Sequence, residues 1–249
     1  MKALAHKSRL GTRGAPEQSR AAILKAAVGE FSREGLAGAR TDAIARDARV
    51  NKALLYYYFH DKEGLYGAVL NHVLGDLLQQ LMAILDSDRP ASYRVLAYAA
   101  THFNFVASHP EYRRLMQFEM MRAGAGNSPH FARLIELFFR PLMMRVVGVL
   151  QEGITSGEFL PVQPQQFLQS MLATIVFYFV ALPAIRVMMP VDPLTPTALQ
   201  QRRDAILDFI SSALFQDRSV APDWITAVNN DVKPASPGST AQKSKRGKK

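Results

Sequence analysis

The chain contains no cysteine. Disulfide bridges, thiol catalysis and cysteine-ligated zinc are therefore excluded, and a reducing compartment is the expected setting. Long apolar runs are also missing. The longest, Met171 to Ile185, falls short of the roughly 20 residues a bilayer span requires. Pro183 interrupts it and Arg186 follows it, so a buried helix is expected and a membrane partner is not. The opening "MKALAHKSRLGTRGAPEQ" has no apolar core of signal-peptide length, which implies a cytoplasmic location. Catalytic signatures are absent too. "GITSG" (Gly153 to Gly157) is not the G-x-S-x-G elbow, and "GAGNSP" (Gly124 to Pro129) is not G-x-G-x-x-G. No H-E-x-x-H spacing occurs around His102, His109 or His130. An enzyme, a metal site and a cofactor are accordingly not expected. Finally, no window alternates apolar and polar residues with a period of two, which excludes a sheet and leaves an all-α fold.

What is present is a 249-residue chain, 48% hydrophobic, with room for one or two domains around a real core. The formal charge is +9. A basic balance suits a polyanionic partner, but much of the excess is terminal. Lys2, Lys7, Arg9, Arg13 and Arg20 stand at the front, and Lys243, Lys245, Arg246, Lys248 and Lys249 at the end.

Residues 1–15 read as a flexible basic arm. Ile23, Leu24, Ala27, Val28 and Phe31 recur at helical spacing, which predicts a helix over 16–34 with Gly35 closing it. Thr41 is a candidate cap for a second, short helix with Ile44, Ala45 and Ala48 on its apolar face. "ARVN" makes a tight turn, Asn51 caps a third helix over 52–58, and Asp61 caps a fourth. Further helices are expected near 91–108, 110–122, 128–156, 163–189 and 196–216. From residue 217 Pro, Ser, Gly and Lys dominate, and 217–249 reads as a disordered basic tail holding the single tryptophan, Trp224.

Two short capped helices joined by a tight turn form the helix-turn-helix arrangement, whose second helix enters the major groove. The stretch "ALLYYYFHDKEGLY", Ala53 to Tyr66, fits that use. At roughly 100° per residue, Lys52, Ala53, Tyr56 and Tyr57 share one arc, while Leu54, Leu55 and Tyr58 face the other way. Phenols and ammonium groups hydrogen-bond phosphate oxygens and so fix register. The Ala53 methyl permits close approach and contact with a thymine methyl. Lys62, in the first turn of the fourth helix, is placed to bind phosphate together with that helix N-terminus.

The segment Thr41 to Leu70 closely resembles the N-terminal DNA-binding domain of the TetR family of transcriptional regulators. Thr41, Ile44, Ala45, Ala48, Val50, Leu55, Tyr56, Phe59, Lys62 and Leu65 match its pattern, and the likeness covers about residues 17–77. The resemblance implies phosphate contacts for Thr41, Tyr57, Tyr58 and Lys62, base-facing positions for Lys52 and Ala53, and a DNA-surface position for Tyr56. Asn51 is the cap and reaches toward the backbone. Two residues depart from expectation. Arg49 stands where the family usually has glycine, so the turn either avoids positive φ or carries it at a cost. Asp42 would repel phosphate unless it accepts from a cytosine or pairs with a nearby cation.

For 78–216 the resemblance implies a helical ligand-binding and dimerisation domain. The expected assembly is a homodimer on palindromic double-stranded operator DNA, with the last two long helices at the interface and a small apolar or aromatic effector controlling it. Repression is the expected sign; activation is the alternative. Phe103, Met116, Met120, Met121, Phe138, Phe139, Met143, Phe177 and Tyr178 are the candidate pocket residues, because methionine and phenylalanine make adaptable apolar linings.

Overall fold

In a computed structural model, residues 16–126 and 128–233 are described. The expected arm at 1–15 and the end of the expected tail, 234–249, lie outside them. The described chain is helical, as the absence of a two-residue period requires. It runs α1 (Pro16–Gly38), α2 (Thr41–Asp47), α3 (Lys52–Phe59), α4 (Lys62–Leu85), α5 (Ala91–Ser108), α6 (Pro110–Gly124), α7 (Pro129–Leu134), a π-helical turn (Ile135–Phe139), α8 (Arg140–Thr155), α9 (Pro164–Val180), α10 (Leu182–Met188), α11 (Pro196–Leu214), a 3₁₀ turn (Arg218–Val220) and α12 (Ala221–Asp231). Among the described residues the sole β feature is an isolated bridge between Phe159 and Phe215.

The residues fall into two compact units. One holds 16–73 and 114–130; the other holds 74–113 and 131–233. These units differ from the expected division at 77/78 on two points. The break falls between Val73 and Leu74, inside α4, and the stretch Arg114–His130 belongs with the helix-turn-helix rather than with the helical domain. Side chains explain the second point. Tyr66 on α4 donates to Glu119 on α6 at 2.8 Å, and Glu119 is completely buried. Ser128 also donates to Glu119, and Arg122 stands 3.7 Å from it. A buried carboxylate needs such partners, and they bind α6 to α4. Burial, then the hydrogen bond to Glu119, pushes the Tyr66 hydroxyl far above the ordinary tyrosine range.

In the first unit, α1 packs on α2 and α3. Its core is Ile23, Ala27, Phe31, Ile44, Leu55, Phe59, Leu65, Tyr66 and Leu70, all buried. Gly35 has φ 64°, which ends the regular part of α1 as expected of a closing glycine, and the chain adds one more turn to Gly38. A Cβ at Gly35 would also come within 3.3 Å of Phe118. By length and hydropathy α4 meets the requirement for a membrane-spanning helix. Its apolar side chains Leu65, Val69, Leu70, Leu77, Leu81 and Leu85 are nonetheless buried against protein.

In the second unit α5 is the centre, packed on by α8, α9, α11 and α12. Three expectations need correction here. The helix expected over 163–189 breaks at Ala181 into α9 and α10, which meet at 64°. Pro183 lacks an N–H and crowds the carbonyl four residues earlier, so the helix cannot run straight through. The helix expected over 128–156 contains a π turn, with Arg140 N–H donating to Ile135 O. Pro141 follows immediately and has no N–H for Leu137, so the widened turn absorbs the mismatch. Third, residues 217–233 are ordered, not a disordered tail. Trp224 packs edge-on against Tyr93 at 6.2 Å, and Tyr93 donates to Asp231 at 2.8 Å. The buried Arg203 of α11 donates to Val232 O at 2.9 Å and to Asn229. Composition suggested a tail because Pro, Ser, Gly and Lys crowd residues 234–249; residues 217–233 hold one Pro and one Ser, and there Val228 is buried and Trp224 half-buried on α12.

Candidate nucleic-acid interface

The third helix separates its side chains as the wheel requires. Leu55 and Phe59 are buried, Leu54 and Tyr58 are half-buried, and Lys52, Ala53, Tyr56 and Tyr57 are exposed. Tyr57 is the extreme case at 75% exposed. The Tyr57 ring and hydroxyl are thus open to water on a helix that Leu55 and Phe59 anchor. Tyr57 and Tyr58 stack edge to face at 5.2 Å, which holds the outer ring without burying it.

The helix start is fixed by Asn51, whose side chain accepts from Leu54 N–H at 2.7 Å. The start of α2 is fixed differently from expectation. Thr41 is the first helical residue, not the cap, and Arg40 holds the cap position without a side-chain bond. Instead the Arg40 N–H donates to Glu30 at 3.0 Å. Glu30 is buried in α1 and paired with Arg33. This acid was missed, although it falls on the apolar stripe of α1, one turn after Ala27, where a carboxylate is out of place. Freed from capping, the Thr41 hydroxyl lies 3.3 Å from the Tyr56 hydroxyl, joining the second helix to the third at their exposed side.

Asp42 has its cation. Lys52 Nζ is 2.9 Å from its carboxylate and 5.9 Å from the centre of the Tyr56 ring. The hydrogen bond from Lys52 holds the Asp42 carboxyl below the ordinary range, and the same bond raises Lys52. The acid that looked repulsive to phosphate is thus neutralised within the face and orients Lys52 across the helix-turn-helix. Lys62 is also engaged: Nζ donates to Ala37 O at 3.1 Å, closing the C-terminal end of α1.

The turns resolve what the sequence left open. Arg49 has φ 58°. Val50 N–H donates to Ala45 O and Arg49 N–H to Arg46 O, both at 3.0 Å. This pair of bonds is a Schellman closure, which calls for a left-handed residue at the position Arg49 occupies. At the other end of α3, His60 has φ 63° and ψ −56°, with Asp61 N–H donating to Phe59 O at 2.7 Å. That is a γ-turn of the strained kind. Asp61 then accepts from Gly64 N–H at 2.6 Å and starts α4. A Cβ on Gly64 would lie 2.4 Å from Phe59 O, so only glycine allows α4 to begin this close to the end of α3.

The candidate effector residues differ in burial and are distributed over both units. Phe103 is buried beside Phe179 at 5.1 Å and Tyr178 at 6.2 Å, and the Tyr178 hydroxyl donates to Pro193 O. Phe138 and Phe139 are half-buried on the π turn. Met116 is buried in the first unit, while Met120 and Met121, on the same helix, are exposed. Met143 and Phe177 are exposed as well. Residue type identified apolar side chains, but not which of them neighbouring elements cover: Met116 and Met120 share a face of α6 and differ in burial. The first unit does contain a cleft of about 470 Å³, lined by Ser32, Arg33, Glu34, Arg114, Gln117 and Phe118. It is polar and open, unlike the expected apolar pocket.

Known proteins resemble this chain in sequence and in fold. Residues 23–69 match the family described as bacterial regulatory proteins, tetR family, and residues 94–210 match the tetracyclin repressor-like C-terminal domain. The HTH-type transcriptional repressor SCO4008 of Streptomyces coelicolor is 33% identical over 171 residues, 69% of this chain and 83% of that protein. The HTH-type transcriptional regulator RutR of Escherichia coli is 32% identical over 147 residues, 59% of this chain and 67% of its own. In fold, the chain resembles a regulator from Saccharomonospora viridis solved in complex with choline. The TM-score is 0.66 at 15% identity, covering 80% of this chain and 98% of that one.

Proposed function

The chain belongs to the TetR family and is a DNA-binding transcriptional regulator, and we propose that it acts as an effector-responsive homodimeric repressor on a palindromic operator. The carrying observation is the face of α2 and α3. Leu55 and Phe59 are spent on the core, leaving Lys52, Ala53, Tyr56 and Tyr57 outward on a short helix fixed at both ends. Thr41, Tyr57, Tyr58 and Lys62 contact phosphate, Lys52 and Ala53 meet base edges, Tyr56 lies at the DNA surface, and Arg49 and Asn51 flank the backbone. Asp42 positions Lys52. The relatives named as repressors support the sign. No catalytic role is assigned, and the setting is the cytoplasm.

Dimerisation is supported by the helices α9 to α11. The exposed side of α9 includes Ser170, Ala173, Phe177 and Val180, and that of α11 includes Ala205, Phe209 and Ala213 beside the polar Gln201 and Asp208. Phe177 is 66% exposed, Val180 65% and Phe209 55%. Small and large apolar residues at three-to-four spacing, on two helices that touch each other, make a face for a second copy. Two α3 helices then sit about 34–36 Å apart, one turn of the duplex. Effector binding favours a packing in which that spacing is lost.

Sequencing the DNA fragments retained by the purified chain tests this. An inverted repeat with half-sites one turn apart is expected; fragments with no shared motif overturn the reading. Sedimentation should give a dimer, and Phe177→Asp a monomer that still folds.

A further inference from the structure

Every residue of α5 from Ala91 to Phe103 is buried. Most of its polar side chains are committed. Ser92 Oγ donates to Glu158 at 2.8 Å, and Arg94 donates to Leu85 O at 3.1 Å and to Glu152. His102 is different. Its side chain is 6% exposed, and neither Nδ1 nor Nε2 has a hydrogen-bond partner among the described residues. Arg94, Gln200, Arg202 and Arg203 also carry an unpaired buried atom, yet each uses another atom of the same side chain. His102 uses none.

A neutral imidazole carries one donor and one acceptor, and leaving both unmet in the interior is costly. Phenylalanine would fill the same space without that cost. Burial pushes the ring's titration down to about 4, so it stays neutral at physiological pH. Tyr98, one turn earlier, meets it edge to face at 5.7 Å. Tyr112, at the start of α6, is close enough to raise the Tyr98 hydroxyl further, and burial holds Tyr112 itself up to about 12. Three uncharged polar groups thus cluster within an apolar interior.

We propose that His102 is the hydrogen-bonding anchor of the effector site, and that the effector is an uncharged aromatic or apolar molecule bearing one hydroxyl, carbonyl or amide group. The proposal rests on the effector-responsive reading above. A charged molecule would enter without a counter-charge, and a purely apolar one would leave the imidazole unmet. Because α5 is enclosed, occupancy requires its neighbours to part. The effector thereby favours a different packing of this unit, the differential affinity that a conformational switch needs.

The test uses the full chain with three probes: 2-naphthol, naphthalene and 2-naphthoate. The neutral phenol is expected to bind about tenfold tighter than the hydrocarbon, the carboxylate not at all, and the ¹⁵N resonances of the His102 ring should move. His102→Phe should abolish the preference for naphthol and raise the unfolding temperature of the unliganded chain. Any of three results overturns the proposal: no naphthol binding at millimolar concentration, a preference that survives His102→Phe, or unmoved ring resonances. A histidine that serves only to hold a buried water would lower the unfolding temperature on substitution and leave naphthol indifferent, which also overturns it. Operator binding in the same samples separates the two readings. Selective DNA binding without any naphthol response removes the effector site alone, whereas loss of selective DNA binding removes the regulator reading on which it rests.

Discussion

Replacing Arg49 by glycine should make the protein more stable and its DNA binding weaker, and the two effects have separate causes. The Schellman closure after α2 places Arg49 at φ 58°. A side-chain-bearing residue pays about 1–2 kcal/mol for left-handed backbone. Glycine removes that cost but adds roughly 0.5–1 kcal/mol of unfolded-state freedom. The net gain is about 0.5–1 kcal/mol, several-fold in the folded-to-unfolded ratio. The guanidinium of Arg49 is exposed and paired with no acid among the described residues, so it is free to contact phosphate. Its loss should make the slope of log affinity against log salt shallower by about 0.9. Denaturant titration reads the first effect as a higher midpoint at unchanged m, and a salt series with a bound operator fragment reads the second. Arg49→Lys keeps both the strain and the charge, and should leave both measurements near wild type. A lower midpoint for Arg49→Gly would refute the strain reasoning. An unchanged salt slope would refute the phosphate contact.

Gly64→Ala should destabilise the helix-turn-helix unit by about 1–3 kcal/mol, because the new methyl meets the rigid Phe59 carbonyl; a neutral result in a melting experiment would show that α4 shifts freely. Asp42→Asn removes the group that positions Lys52 and frees its charge, so it should steepen the salt slope while reducing the preference for operator over unrelated DNA, measured by fluorescence anisotropy. The Asp42 carboxyl is held below its ordinary value of 3.8 by Lys52. Its contribution is therefore fully present above that value and is lost as pH falls through the lowered one, so the pair should leave affinity flat between pH 6 and 8. Tyr56→Phe removes the hydroxyl that meets Thr41 and should weaken operator binding without unfolding the chain. Lys62→Ala should do the same, with a shallower salt slope and a small loss of stability from the freed Ala37 carbonyl; unchanged affinity for both variants would remove these residues from the interface.

The sequence alone determined the all-α class, the turn between α2 and α3, and the division of α3 into anchor and face. These are local properties. They follow from 3.6-residue periodicity, capping residues and the burial of Leu55 and Phe59, and they need no distant contact. The family pattern added the expected roles of that face because it too is confined to one continuous segment, Thr41 to Leu70. Tertiary structure decided the rest. Thr41 could be read as a cap until Glu30, from another helix, accepted the Arg40 N–H and left the Thr41 hydroxyl to Tyr56. Asp42 looked misplaced until Lys52 reached it. Composition placed 217–233 in a tail, whereas Tyr93 and Arg203 hold it in α12. Residue type and helical spacing do not separate core from surface in the methionine-rich set: Met116 and Met120 share one face of α6, yet the first is buried and the second exposed, because other elements cover only part of that face. The unsatisfied imidazole of His102 was invisible for a related reason. A histidine on an apolar helix says nothing of its partners, since whether a buried nitrogen is paired depends on every helix packed around it.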